Sequence, residues 1–174
     1  MPRPIGTVEE FYAHALAIER EAAERYGEFA AWFGDRGNEV LAGLCHNLAR
    51  FEGEHYHQLL RGCESLKLPV IDSADYLWLG AAPPEAGARE LFFRAAEPRH
   101  LLEIALEAEM RAREFFVWVA RTSSTKAVRE LAAIMAAEEA EHVNWVMQAI
   151  EYHPDHRDWE ALFRTTTASA NGEK

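Results

Sequence analysis

The chain has 174 residues, the size of one domain. With 49% apolar and 27% charged residues, it has the balance of a folded globular protein rather than a disordered one. Its net charge of −11, from 18 Lys+Arg against 29 Asp+Glu, argues against nucleic acid or an anionic membrane surface as partner, because both need a basic face. Neither Cys45 nor Cys63 forms a C-x-x-C pair, which excludes a zinc ribbon, a rubredoxin-type iron site and a thioredoxin motif.

In chain order, Met1–Gly6 lacks the apolar run of a signal peptide, and no window approaches 18 consecutive apolar residues. This predicts a cytoplasmic protein. Thr7 with Glu10 reads as a capping box and opens a helix over about Thr7–Phe33. The turn cluster Gly34-Asp35-Arg36-Gly37-Asn38 ends it, and a second helix follows over about Glu39–Cys63. Residues 64–98 form a connector holding Pro69, Pro83, Pro84 and Pro98, with a short helical candidate at Arg89–Ala96. A third helix is predicted over about Arg99–Arg121. After Thr122-Ser123-Ser124 comes a fourth, over about Thr125–Tyr152. The end of the chain, with the polar run 165–174, reads as a short helix or frayed tail.

Apolar stripes recur at three, four and seven residues. They run through Phe11/Tyr12, Leu16, Tyr26 and Phe33 in the first helix, and Leu41, Leu44, Leu48, Phe51 and Leu59 in the second. The third shows Leu102, Leu106, Ala112, Phe116 and Val119; the fourth shows Val128, Leu131, Met135, Val146 and Ile150. This predicts an all-α four-helix bundle with a long crossover between helices two and three. A single domain over 1–164 would carry the hairpins 7–63 and 99–152.

Each stripe is interrupted near its middle: by Glu19, by Glu52 and His55, by Glu109, and by Glu139 and His142. Burying such groups is costly unless something pairs them, and six at one level point to a shared metal. The two halves repeat the pattern. Glu19, Tyr26 and Ala30 match Glu109, Phe116 and Ala120 in spacing, and Glu52-x-x-His55 matches Glu139-x-x-His142. Residues i and i+3 share a helix face, so each Glu-x-x-His aims a carboxylate and an imidazole at one point. Four carboxylates and two imidazoles suit two iron ions, or manganese, bridged by carboxylate, the ligand set of di-iron bundles.

These residues make the chain resemble the rubrerythrin branch of the ferritin-like superfamily, over roughly 7–63 and 99–152. The resemblance implies a non-haem di-iron centre that reacts with hydrogen peroxide or dioxygen in peroxide reduction or ferroxidase chemistry. It also implies a homodimer. Classical rubrerythrins add a rubredoxin domain with four cysteines; this sequence has two cysteines and no such set, which leaves room for a separate electron-donor protein. Iron storage, and hydroxylation of a small substrate, are the rival functions.

Chance alone predicts about one Glu-x-x-His among 24 glutamates and eight histidines. Four occur, and Glu54/His57, on a polar face, and Glu97/His100, around Pro98, read as decoys. Glu107 rivals Glu109 as the ligand of the third helix. Tyr26 reads either as core or as a hydroxyl bonded to a ligand carboxylate. Glu138 reads as rim, Arg113 as a nearby cation or plain surface, and Cys45 as a small core residue.

Overall fold

The computed structural model describes residues 3–71 and 98–152. These form four helices: α1 (Val8–Gly34), α2 (Glu39–Gly62), α3 (Pro98–Thr122) and α4 (Lys126–Tyr152). Among the described residues, no helix is long and apolar enough to cross a membrane. The helical candidate at 89–96, the crossover segment 72–97 and the tail lie outside the described residues.

The ends of the helices follow from local chemistry. Thr7 Oγ1 accepts the Glu10 N–H at 3.1 Å and so caps α1. The return bond differs from a regular capping box. Glu10 Oε2 accepts from Gly6, one residue before the cap, while its other oxygen pairs with Arg3 at 2.7 Å. Gly37 takes φ +71°, the left-handed turn that closes α1, and Asn38 caps α2 through the Leu41 N–H at 3.1 Å. In the second hairpin, Ser123 Oγ accepts the Thr125 N–H, and Arg129 donates to the carbonyls of Ser123 and Ser124.

α1 packs on α2, and α3 on α4, as antiparallel hairpins. Thr125 Oγ1 donates to the Gly6 carbonyl, which places the starts of α1 and α4 at one end of the bundle. α2 and α3 therefore run parallel, and the chain between them begins at one end of the bundle and finishes at the other. The 24 residues of α2 make that span about 36 Å.

The core divides in two. One cluster holds Tyr26, Phe29, Phe33, Leu44, Leu48, Phe51, Leu102 and Val146. The other holds Phe11, Ile18, Leu59, Phe115, Phe116, Val119, Val128 and Met135. Phe11, Phe115 and Phe116 are fully buried, each contributing about 1.5–3 kcal/mol. The predicted stripes lie in these clusters with one shift. In α1, Ala15 and Ile18 are buried and Leu16 only half so, because the face turns toward the second hairpin. Leu106, Leu131 and Ile150 are likewise half-buried. Between the clusters lies a polar layer, and it holds the candidate site.

Candidate metal centre

Every helix contributes to the layer near its midpoint, where its apolar stripe passes from one cluster to the other. Glu19, Glu52, Glu109, Glu139 and His142 are buried, and the His55 side chain is 13% exposed. His142 Nδ1 is 3.3 Å from Glu52 Oε1, 3.4 Å from Glu109 Oε2 and 3.7 Å from Glu139 Oε2. His55 Nδ1 is 3.7 Å from Glu19 Oε2. The two imidazole rings stack at 4.8 Å with 5° between their planes. Glu52, His55 and His142 bring ligand atoms within 4.8 Å of one another, and so do Glu109, Glu139 and His142. The structure thus gathers all six sequence-derived candidates into one layer, with His142 common to both groups.

The other candidates lie elsewhere. Glu107 is exposed and pairs with Arg111, as Glu103 does with Arg99. Glu54 pairs with Arg50 at 2.6 Å on the surface, and His57 is exposed and bonded to the Gly53 carbonyl. Glu97/His100 falls outside the described side chains. Arg113 is exposed. Cys45 is fully buried and its thiol is pushed up to about 12 by burial, so it packs as an inert core residue. Tyr26 donates its hydroxyl to Glu109 Oε1 at 3.0 Å and is 4% exposed, so it spans the two hairpins as well as filling the core.

Three features of the surroundings go beyond the ligand pattern. Phe51 and Trp145 pack on each other at 4.6 Å and on His142 at 6.2 and 5.0 Å. Their place beside Glu52 and one turn after His142 was legible, but nothing in the sequence assigned them to that ring. Glu138 is half-buried beside His55, in the rim position its neighbour Glu139 suggests. His14 is buried, stacks on Phe115, and its Nδ1 lies 2.9 Å from the Glu10 carbonyl oxygen; it belongs to the core and not to the layer.

Electrostatics mark the layer as strained in metal-free form. Burial, reinforced by the charges of Glu19, Glu109 and Glu52, holds Glu139 well above the usual carboxylate range. Burial alone would lower His142, but Glu52 and the close contacts to Glu109 and Glu52 raise it to about 10. Burial opposes ionisation of Glu52, yet the positive His142 keeps it below its ordinary value. Burial and the charge of His142 both lower His55. Among the described residues, Glu52, Glu109 and Glu139 have no lysine or arginine partner, and the raised His142 and Glu139 offset part of the layer's negative charge.

The donor atoms fit a metal. Glu52 Oε1, Glu139 Oε2, His55 Nδ1 and His142 Nδ1 are buried without a well-aligned hydrogen bond, though they face one another across the layer. Orphaned polar atoms of this kind are costly, and a cation among them removes the cost. Carboxylate oxygens with imidazole nitrogens are the donors that iron and manganese accept. This buried cluster can hold metal ions.

The fold is similar to the crystal structure of an uncharacterized conserved protein from Magnetospirillum magnetotacticum, with a TM-score of 0.69 and 37% identity over 86% of this chain and 97% of that one. The chain belongs to the same family as that protein. No family model and no curated protein matches the sequence.

Proposed function

We propose that the chain is a ferritin-like di-iron oxidoreductase of the rubrerythrin kind that reduces hydrogen peroxide. The observation that carries this reading is the polar layer: four carboxylates and two imidazoles enclosed by two apolar clusters, with four of their atoms facing one another and lacking aligned hydrogen bonds. Glu19, Glu52 and His55 would hold one iron, and Glu109, Glu139 and His142 the other. Glu52, close to both imidazoles, would be shared between them.

When bound, the iron pair would supply two electrons to the O–O bond of hydrogen peroxide, which with two protons gives two waters. Those electrons would return from a donor outside this di-iron bundle, whose two cysteines form no rubredoxin-type set. The protein's own residues prepare the layer. Tyr26 fixes one oxygen of Glu109 and leaves the other, Oε2, facing His142. The same charges that raise His142 and Glu139 favour a cation, whose binding would release their protons. Phe51 and Trp145 cover His142 and exclude water from that side.

The test is elemental analysis of the purified protein after anaerobic Fe(II) loading, followed by peroxide with the optical spectrum recorded. Two metal ions per chain, as the ligand set of di-iron bundles requires, and rapid oxidation are expected. No bound iron or manganese overturns the reading. Elution as a shell of many subunits would turn it toward iron storage.

A further inference from the structure

A cavity of about 120 Å³ lies between α1, α2 and α4. Phe11, Tyr12, Leu59 and Met135 form much of its wall, and His55 and Glu138 are its charged or ionisable members. Its lip is exposed: Ile134 is 56% exposed and Gln58 is also exposed. The other five members of the polar layer have buried side chains, while that of His55 is 13% exposed and lines this cavity. The cavity therefore leads from the surface to the edge of one half of the layer.

We infer that this cavity is the entrance by which the oxidant reaches the centre, and that it restricts the substrate to a small neutral peroxide. The inference rests on the di-iron reading and deepens it.

Size is the first argument. A volume of about 120 Å³ is smaller than the about 150 Å³ of a cavity that just takes benzene, and it is well under the about 300 Å³ at which pockets for larger organic ligands begin. A nucleoside, a fatty acyl chain or an aryl hydroperoxide does not fit; hydrogen peroxide does. Polarity is the second. A mostly apolar wall cannot replace the hydration of an ion, and Glu138 at the edge repels anions. A neutral molecule of two heavy atoms crosses it at little cost. Tyr12 shapes one side, with its hydroxyl over Gly62, where a Cβ would come within 2.5 Å of the phenol oxygen. The placement of Tyr12 on this wall thus depends on a glycine at the end of α2.

The test uses Ile134→Trp, which places a large ring at the lip on an exposed position outside the metal layer, and Gln58→Trp from the opposite lip. Three readouts are taken: iron per chain, xenon binding to the metal-free protein by ¹²⁹Xe NMR, and the stopped-flow rate of oxidation of the loaded protein by hydrogen peroxide and by cumene hydroperoxide. The wild type is expected to load iron, bind xenon and react at least a hundredfold faster with hydrogen peroxide than with cumene hydroperoxide. Each tryptophan variant should keep its iron, lose xenon binding and react at least tenfold more slowly with hydrogen peroxide. Variants that load iron and react within twofold of the wild type overturn the entrance and leave the di-iron reading standing, and so does a wild type that takes both peroxides equally fast. A wild type that takes up no iron overturns both, and the metal analysis reveals this before any peroxide is added.

Discussion

His55 and His142 occupy matching positions in hairpins of the same pattern, yet their surroundings differ. The His142 side chain is 2% exposed, covered by Phe51 and Trp145, and within 3.7 Å of three carboxylates. That of His55 is 13% exposed, has Glu19 at 3.7 Å, and lines a cavity open to solvent. The tyrosine hydrogen bond is also one-sided. Tyr26 from the first hairpin bonds Glu109 of the second, whereas its counterpart Phe116 is a fully buried ring with no hydroxyl. The contrast divides a duplicated set of polar residues: one half is sealed from solvent and the other reaches a cavity, which in the proposed function suits the first to holding metal and the second to meeting substrate.

The largest expected effect tests that division directly. His142→Ala removes the imidazole that lies within 3.7 Å of three carboxylates, the shared Glu52 among them, so bound iron should fall from about two per chain to well below about one. His55→Ala should still retain about one iron in the second group of the same set. Elemental analysis of both loaded variants decides it, and equal losses would break the comparison. Glu54→Ala with His57→Ala, on the exposed decoy pair, should leave the iron content unchanged.

Next comes the response of the metal-free protein to pH. His142 is raised from 6.5 to about 10, so its contribution to stability is complete below pH 6.5 and is lost as the pH climbs toward 10. Glu139, also raised, acts in the same direction from its lower starting value of 4.5. His55 is lowered, so its contribution is present above 6.5 and is lost only on acidification. Glu52, lowered from 4.5, behaves likewise in a more acid range. The melting temperature of the metal-free protein should therefore fall between pH 6.5 and 10, with His142 as the main cause. The iron-loaded protein, whose ligands are already deprotonated, should show no such fall, and parallel curves for the two forms would contradict the assignment.

A smaller effect is expected from Tyr26→Phe, which removes the hydroxyl bonded to Glu109 across the hairpins. Loss of such a partner weakens metal affinity by about 10–100-fold. Competition with a chelator would measure it, and the melting temperature should change little, since the ring still fills the core. The smallest effect lies in the turns. Gly37→Ala forces a side chain into φ +71° and should cost about 1–2 kcal/mol in denaturant unfolding. Its iron stoichiometry should be that of the wild type, because the turn lies beyond one end of α1 and the layer at its middle.

Most of the architecture was legible because its causes are local. Helix periodicity, Thr7 as a cap and the turn cluster 34–38 specify α1 and α2 without reference to the rest of the chain. The six polar residues stood out because each interrupts an apolar stripe, which is a property of one helix at a time. Glu109 and Glu107 show where this stops. Both occur on α3, two residues apart and so on different faces; the repeat favoured Glu109, and burial in one case and an Arg111 partner in the other come from packing.

The sequence by itself determined the four helices, the duplicated pattern and the level at which carboxylates and imidazoles interrupt the core, since spacing along a helix fixes which residues share a face. Only the tertiary structure decided that Tyr26 reaches Glu109, 83 positions away, and that His55 rather than His142 meets a cavity. Those outcomes depend on how one hairpin seats against the other. A repeat in sequence makes the two ligand sets alike, but it does not specify the different neighbours that packing gives to each.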